Sequence, residues 1–282
     1  MIRNLTELYQ YRALLLALSM RELKARYRAS VLGFLWTFLN PTLNMLVYVL
    51  VFGLLMRNTV PSYPYYLFSG LLPWIFFSSS VLGGTTSISD RRDLLTKVRF
   101  PAQVLPATVV LTNLINFLLS LPLLLGLGAL FGVVPTWHLV FVVPILVVQT
   151  FFTLAISYLL AALNVAFRDL QHIVSNLVQM AFFLTPVLWD LKAVPALGSM
   201  SKEETHQLLL HLNPMASVIS SWRDIFYGVC TNTGTVDQPL WVCQQRIPEW
   251  QPLLSVAAVS LVVMWIAATV FERRREEFAE LV

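Results

Sequence analysis

Six long apolar runs, at residues 32–56, 66–89, 107–132, 138–163, 172–189 and 252–271, alternate with polar connections along the chain. A helix needs roughly 20 consecutive apolar residues to cross a hydrocarbon core about 30 Å thick. The pattern therefore predicts an all-α membrane protein with six transmembrane helices. The fifth run is the shortest and is polar where it begins. Pro41, Pro122, Pro144 and Pro186 fall inside runs and predict kinks there.

The connections carry patterns of their own. Residues 1–31 are too polar to span, yet Tyr9, Ala13, Leu16, Met20, Leu23 and Tyr27 recur every three or four positions, which marks one face of a helix. Arg21, Lys24 and Arg28 lie off that stripe, so the segment reads as an amphipathic helix in the membrane interface; a soluble helix packed on its own chain is the plainer alternative. Residues 90–101 (DRRDLLTKVRFP) combine charges with a short apolar face of Leu94, Leu95 and Val98, a surface suited to a partner. Within the longest connection, 190–251, residues 212–228 are too apolar for a free loop and too interrupted for a full span. They predict one or two short helices dipping into the outer leaflet. The chain thus divides into an interfacial segment at 1–31, a six-helix domain at 32–271 and a tail at 272–282.

Composition and charge agree with a membrane setting. Of 282 residues, 57% are hydrophobic and 12% charged, about half the charged share of a soluble domain. Fourteen Lys and Arg fall on the side of the chain ends and of 90–101, against five on the other side. Positive charge next to spans stays inside, which places both termini in the cytoplasm. The same topology accounts for the net charge of +4 without nucleic acid as a partner. The apolar stretch at 13–18 is too short for a cleavable signal and runs into charges, so the first helix is expected to be retained.

What chemistry is missing narrows the function. The six runs contain no Asp, Glu, Lys or Arg, whereas ion-coupled carriers place such residues within their spans. No internal repeat points to an inverted-repeat carrier. The chain has no Gly-Lys dipeptide and so no phosphate-cradling loop; ATP hydrolysis would need another polypeptide. His206 and His211 are five apart, no H-E-x-x-H occurs, and two cysteines cannot complete a closed zinc site. Neither catalytic nor metal-binding residues are assigned, although an intramembrane enzyme with dispersed catalytic groups stays open as an alternative. Cys230 and Cys243 both fall in the outer loop, where an oxidising compartment permits a disulfide; two free thiols are the alternative.

Several ordered fragments carry a resemblance: R-Y-R-A-S-V-L-G-F-L-W at 26–36 with Asn40-Pro41, F-S-G-L-L-P-W-I-F-F at 68–77, K-V-R-F-P at 97–101, Arg168-Asp169, F-L-T-P-V-L-W at 183–189 and L-N-P at 212–214. Together they resemble the membrane subunit of type 2 ABC exporters, in the branch that exports O-antigen, capsular polysaccharide or teichoic acid; drug and lipid exporters of the same superfamily are the runner-up. The resemblance implies a homodimer with two separate ATPase subunits that bind ATP and Mg, no cofactor in this chain, and a lipid-linked polysaccharide as cargo at the bacterial cytoplasmic membrane. It also implies parts. Tyr9, Leu16, Met20, Leu23, Arg26, Tyr27 and Arg28 would belong to an interfacial gate helix. Asp90, Arg91, Arg92, Leu94, Leu95, Lys97, Val98 and Arg99 would form the helix that couples to the ATPase, and 212–228 the outer gate helices. A hydroxyl-rich polymer has to slide without being held, which aromatic faces and neutral amides allow. Trp36, Phe38, Trp74, Phe77, Phe182 and Phe183, with Asn40 and Asn44, are the candidate channel lining, against the plainer reading that they face lipid or pack between helices.

Overall fold

The computed structural model describes residues 10–26, 28, 30–91, 101–134, 136–233 and 241–273. Helix α1 (Arg12–Arg26) precedes the first long apolar helix, which runs Gly33–Leu55 and is built from a 3₁₀ turn, α2 (Trp36–Tyr48) and a π-helical segment at Val49–Leu55. Next come α3 (Tyr63–Thr86), α4 (Val104–Leu130), α5 (Val142–Ala166, led by a 3₁₀ turn from Trp137) and the short α6 (Leu170–Leu184). Beyond α6 lie α7 (Lys202–Leu212), α8 (Pro214–Phe226), strands β1 (Val229–Asn232) and β2 (Trp241–Gln244), and α9 (Trp250–Arg273). Five of these helices are long and apolar enough to cross a membrane; α6, at 15 residues, is apolar but shorter. Its length of about 22 Å at 1.5 Å per residue falls short of a hydrocarbon core.

The expectation of a purely helical chain needs one correction. Residues 229–244 include an antiparallel pair in which Cys230 faces Cys243, with hydrogen bonds that the alternating helical signal of the neighbouring segments did not announce. Gly228 leads into β1 with a φ of 75°, and a Cβ there would sit 2.0 Å from the Gln244 carbonyl oxygen. The turn therefore requires glycine.

Contacts near the helix ends sort those ends into two sets. At one end, Ser19 of α1 donates to the Thr108 carbonyl, Arg91 pairs with Glu22, and Asn164 donates to Ser89. Phe271 of α9 packs there with Tyr158, Ile88 and Leu15. At the other end, the Tyr227 hydroxyl donates to Pro61, Gln245 donates to Val134, and Phe141 meets Trp250 edge to face. Lipid tails give apolar helices no reason to associate with one another, so close packing and hydrogen bonds must hold them. Small residues supply the packing: Ala155, Ala161 and Ala162 of α5 and Ala267 of α9 are buried in one cluster where those helices meet, and Gly84 of α3 comes against Ser157 of α5. Gln149, wholly buried in α5, uses both ends of its amide. It donates to the Pro73 carbonyl at 2.9 Å and accepts from the Trp222 indole at 2.7 Å.

Candidate functional site

A groove of about 270 Å³ opens between α2, α3 and α4. Trp36, Asn40 and Asn44 stand on one wall, Ile75, Phe76 and Ser79 on a second, and Asn113, Asn116 and Ser120 on the third, with Arg26 at one end. The helical period explains the ladder: Trp36, Asn40 and Asn44 are four apart and share a face of α2, as do Asn113, Asn116 and Ser120 on α4. The Asn44 side chain donates to the Asn40 carbonyl at 3.0 Å. The lining is neutral and amide-rich, with one cation at its end. Amides both donate and accept, so such a wall can meet hydroxyl groups in either role without fixing them by charge.

The sequence-derived candidates divide around this groove. Trp36, Asn40 and Asn44 line it together. Phe38 lies off the groove and meets Phe34 edge to face at 5.5 Å. Trp74, Phe77 and Phe182 are buried in an aromatic cluster: Trp74 lies tilted at 5.6 Å from both Phe77 and Phe182, and Phe77 lies parallel to Phe152 at 5.8 Å. Phe183 is 55% exposed. Along α1, Leu23 is buried, whereas Leu16 and Met20 are exposed at 54% and 47%. The face that meets the protein runs instead through Leu15, Ser19 and Glu22. Arg26 reaches the groove, Arg28 is exposed, and Tyr9 and Tyr27 lie outside the described residues. Asp90 and Arg91 sit in a 3₁₀ turn where Arg91 meets Glu22 at 2.7 Å; Arg92, Leu94, Leu95, Lys97, Val98 and Arg99 lie outside the described residues.

At the opposite end of the helices, a second feature was not anticipated. After α6 ends at Leu184, the chain runs on in non-helical conformation, and four consecutive carbonyls are taken up by side chains. Arg223 of α8 donates Nη1 to Pro186 and Nη2 to Val187, the latter at 2.7 Å. The Tyr63 hydroxyl donates to Leu188 at 2.8 Å and the Tyr66 hydroxyl to Trp189 at 3.0 Å. Arg223 is held in turn over the Tyr66 ring, 3.7 Å from its centre, and Gly70 leaves it room: a Cβ there would lie 2.8 Å from Nη2. Asp224 next to it pairs with Arg246 at 2.6 Å. Burial pushes the Asp224 carboxyl up to about 6, against the pull of Arg246. The signal in sequence was an arginine and an aspartate set in the apolar stretch 214–227. Cys230 and Cys243 are joined in the hairpin beside this cluster.

Comparison with known proteins places these features in a family. The family model for the ABC-2 type transporter matches residues 13–227. The chain is 56% identical over 280 residues to the O-antigen export system permease protein RfbA of Myxococcus xanthus, covering 99% of both chains. It is 30% identical over 269 residues to the protein of the same name from Klebsiella pneumoniae, covering 95% of this chain and 94% of that one. The polysialic acid transport protein KpsM of Escherichia coli is 24% identical over 266 residues, with 92% and 93% covered. With five apolar spanning helices and a match over most of its length, the chain belongs to the ABC-2 type transporter family of multi-pass membrane proteins.

Proposed function

We infer that this chain is the membrane permease subunit of an ATP-driven exporter of O-antigen-type polysaccharide in the bacterial inner membrane. The observation that carries this reading is the 56% identity, over essentially the whole length of both chains, to a protein named as an O-antigen export permease. The more distant relatives are named for polysaccharide as well, which favours glycan over drug or lipid cargo. Family membership implies an ATPase partner. The chain itself lacks the Gly-Lys of a phosphate-binding loop, so nucleotide and Mg would be held by that partner. We read the working unit as two copies of this chain with two ATPases, and the cargo as lipid-linked.

The arrangement supports specific roles. α6 and the turns that carry the chain on to Trp189 together form a sixth crossing, with both termini on the cytoplasmic side. Unpaired backbone is intolerable at membrane depth unless protein satisfies it, and Arg223, Tyr63 and Tyr66 do so for residues 186–189. α7 and α8 then act as the outer gate helices, α8 being held as a rigid wedge by Gln149. Leu16 and Met20 face lipid while Leu15, Ser19 and Glu22 bind α1 to the helix ends. The pair Glu22–Arg91 links α1 to the first residues of the coupling segment, so movement of residues 90–101 under the ATPase would reach Arg26 and the groove mouth. Within the groove, Asn40, Asn44 and Asn113 exchange hydrogen bonds with passing sugar hydroxyls, while Trp36 offers an apolar face.

Reconstitution tests this. The chain, co-purified with its ABC ATPase partner and placed in vesicles holding lipid-linked polysaccharide, should move the glycan across the bilayer when ATP is added. Glycan that stays on its original side while ATP is hydrolysed contradicts the reading.

A further inference from the structure

A separate cavity of about 490 Å³ lies at the end of the helices away from Arg91 and Arg273, between residues 58–61, the 189–193 stretch and α8. Its size is that of pockets that hold a small organic ligand. The wall mixes chemical types: the carboxylates Asp190 and Asp224, the cations Lys192, Arg223 and Arg246, and the aromatic side chains Trp189 and Tyr227.

Each of these groups constrains what could fill the space. Asp224 is committed to Arg246, which also reaches Glu249 at 3.4 Å. Arg223 is 7% exposed; it has two carbonyls and a tyrosine ring as neighbours, no carboxylate within 4.0 Å among the described residues, and a buried Nε without a hydrogen-bond partner. Asp190 accepts from the Lys192 backbone amide at 3.0 Å with one oxygen, while the Lys192 side chain is exposed and makes no ion pair among the described residues. An apolar ligand would strand these charges away from water at a cost, and a simple anion would be met by Asp190. Ionised carboxylates only accept hydrogen bonds, and ammonium and guanidinium groups only donate them. A ligand whose groups do both, with apolar faces for Trp189 and Tyr227, satisfies what the wall leaves free, the Asp190 carboxylate and the Lys192 ammonium.

A saccharide has that chemistry. We propose that this cavity is a saccharide-binding site on the exit side of the permease, in which Asp190 and Lys192 grip sugar hydroxyls at the mouth. The proposal rests on the export reading given above and adds a site distinct from the groove between α2, α3 and α4. Such a site would hold glycan that has crossed and disfavour its return.

The test uses the complete transporter in lipid nanodiscs and, as probe, water-soluble polysaccharide released by mild acid from the cells that make the protein. Saturation-transfer NMR against probe concentration gives an apparent Kd for the wild type and for the double variant Asp190→Asn/Lys192→Ala. Asn at 190 can still accept from the Lys192 amide, so the thermal midpoint should be unchanged. The expected result is at least fivefold weaker binding in the double variant, with inorganic phosphate at matched ionic strength leaving the wild-type signal intact. Equal affinity in both proteins overturns the proposal, and so does displacement by phosphate, which would make the cavity an anion site. ATP-driven export by the same wild-type preparation separates the two levels. Export with equal binding removes the cavity's role alone, whereas absence of export removes the export reading and this proposal with it.

Discussion

The two polar regions of this molecule handle backbone and charge in opposite ways. Around residues 186–189, each of four successive carbonyls is taken by a named donor, and the donors are buried and locked by ring stacking and by the close approach of Gly70. In the groove between α2, α3 and α4, the polar groups apart from Arg26 at one end are neutral amides and hydroxyls, with Asn40 and Asn44 exposed and Asn113 and Ser120 buried. Stiff, saturated hydrogen bonding suits a part that must keep its shape. Accessible neutral groups suit a part that has to make and break contacts with a moving ligand. One chain thus separates a saturated region that holds the end of α6 from an accessible groove, to which the export reading assigns the cargo.

Breaking the stiff region should have the largest effect. Arg223→Leu leaves the Pro186 and Val187 carbonyls without donors, at about 1–3 kcal/mol for each orphaned buried group, so folded protein in the membrane and its thermal midpoint in detergent should both fall sharply. Gly70→Ala should do the same more mildly by displacing Nη2, which a Cβ there would approach to 2.8 Å. An Arg223→Leu protein that melts like the wild type would dismiss the carbonyl clamp.

The groove should respond in the contrasting way. Asn40→Leu/Asn44→Leu is expected to cut polysaccharide export at least tenfold while the folded amount and ATPase association stay normal, as measured by surface glycan and co-purification. Trp74→Ala and Phe77→Ala, whose side chains are buried in the interhelical stack, should lower export and folded protein together. If the groove double variant lost folded protein in proportion to export, the division of labour between the two regions would fail.

Much of this was legible from the apolar runs, because a membrane helix must hide its whole backbone and so writes its length into composition. The runs at 32–56 and 252–271 lie within a few residues of Gly33–Leu55 and Trp250–Arg273. The run at 172–189 shows why the fifth was harder. Its apolar residues continue past Leu184, but the helix does not, and what replaces the helical hydrogen bonds comes from Tyr63, Tyr66 and Arg223, more than thirty residues away in either direction. Periodicity carries no trace of partners at that distance. The stripe on α1 was visible, but which of its neighbours would meet the protein depended on Thr108 and Arg91. Asn40 and Asn44 could be paired from their spacing; Asn113 and Asn116 joined them only once α4 lay beside α2.

Two smaller effects sharpen the end of the molecule that carries the cysteine pair. Closing a loop of the Cys230–Cys243 length stabilises by about 3 kcal/mol in the chain-entropy model, so Cys230→Ser/Cys243→Ser should lower the thermal midpoint under non-reducing conditions and abolish its dependence on reductant. Mass spectrometry of protein taken from native membranes should find the two thiols protected from alkylation. The smallest effect concerns Asp224. Its carboxyl in the folded protein titrates at about 6, above the ordinary carboxylate range, because burial disfavours the ionised form. The stability gained from the bound proton is therefore full below that ordinary range and is lost as pH rises through about 6. Measured against Asp224→Asn, the wild type should lose relative stability between pH 4 and pH 7; a difference that is flat with pH would contradict this.

The account's central claim is that glycan passes along the amide-lined groove, and a photo-reactive side chain placed at Asn44 tests it most directly. Val47, exposed on the same helix but absent from the groove lining, serves as the control. Irradiation of exporting cells should attach polysaccharide at position 44 when the partner ATPase is active and leave position 47 bare. Equal labelling at both positions, or none at 44 while export proceeds, would contradict the claim.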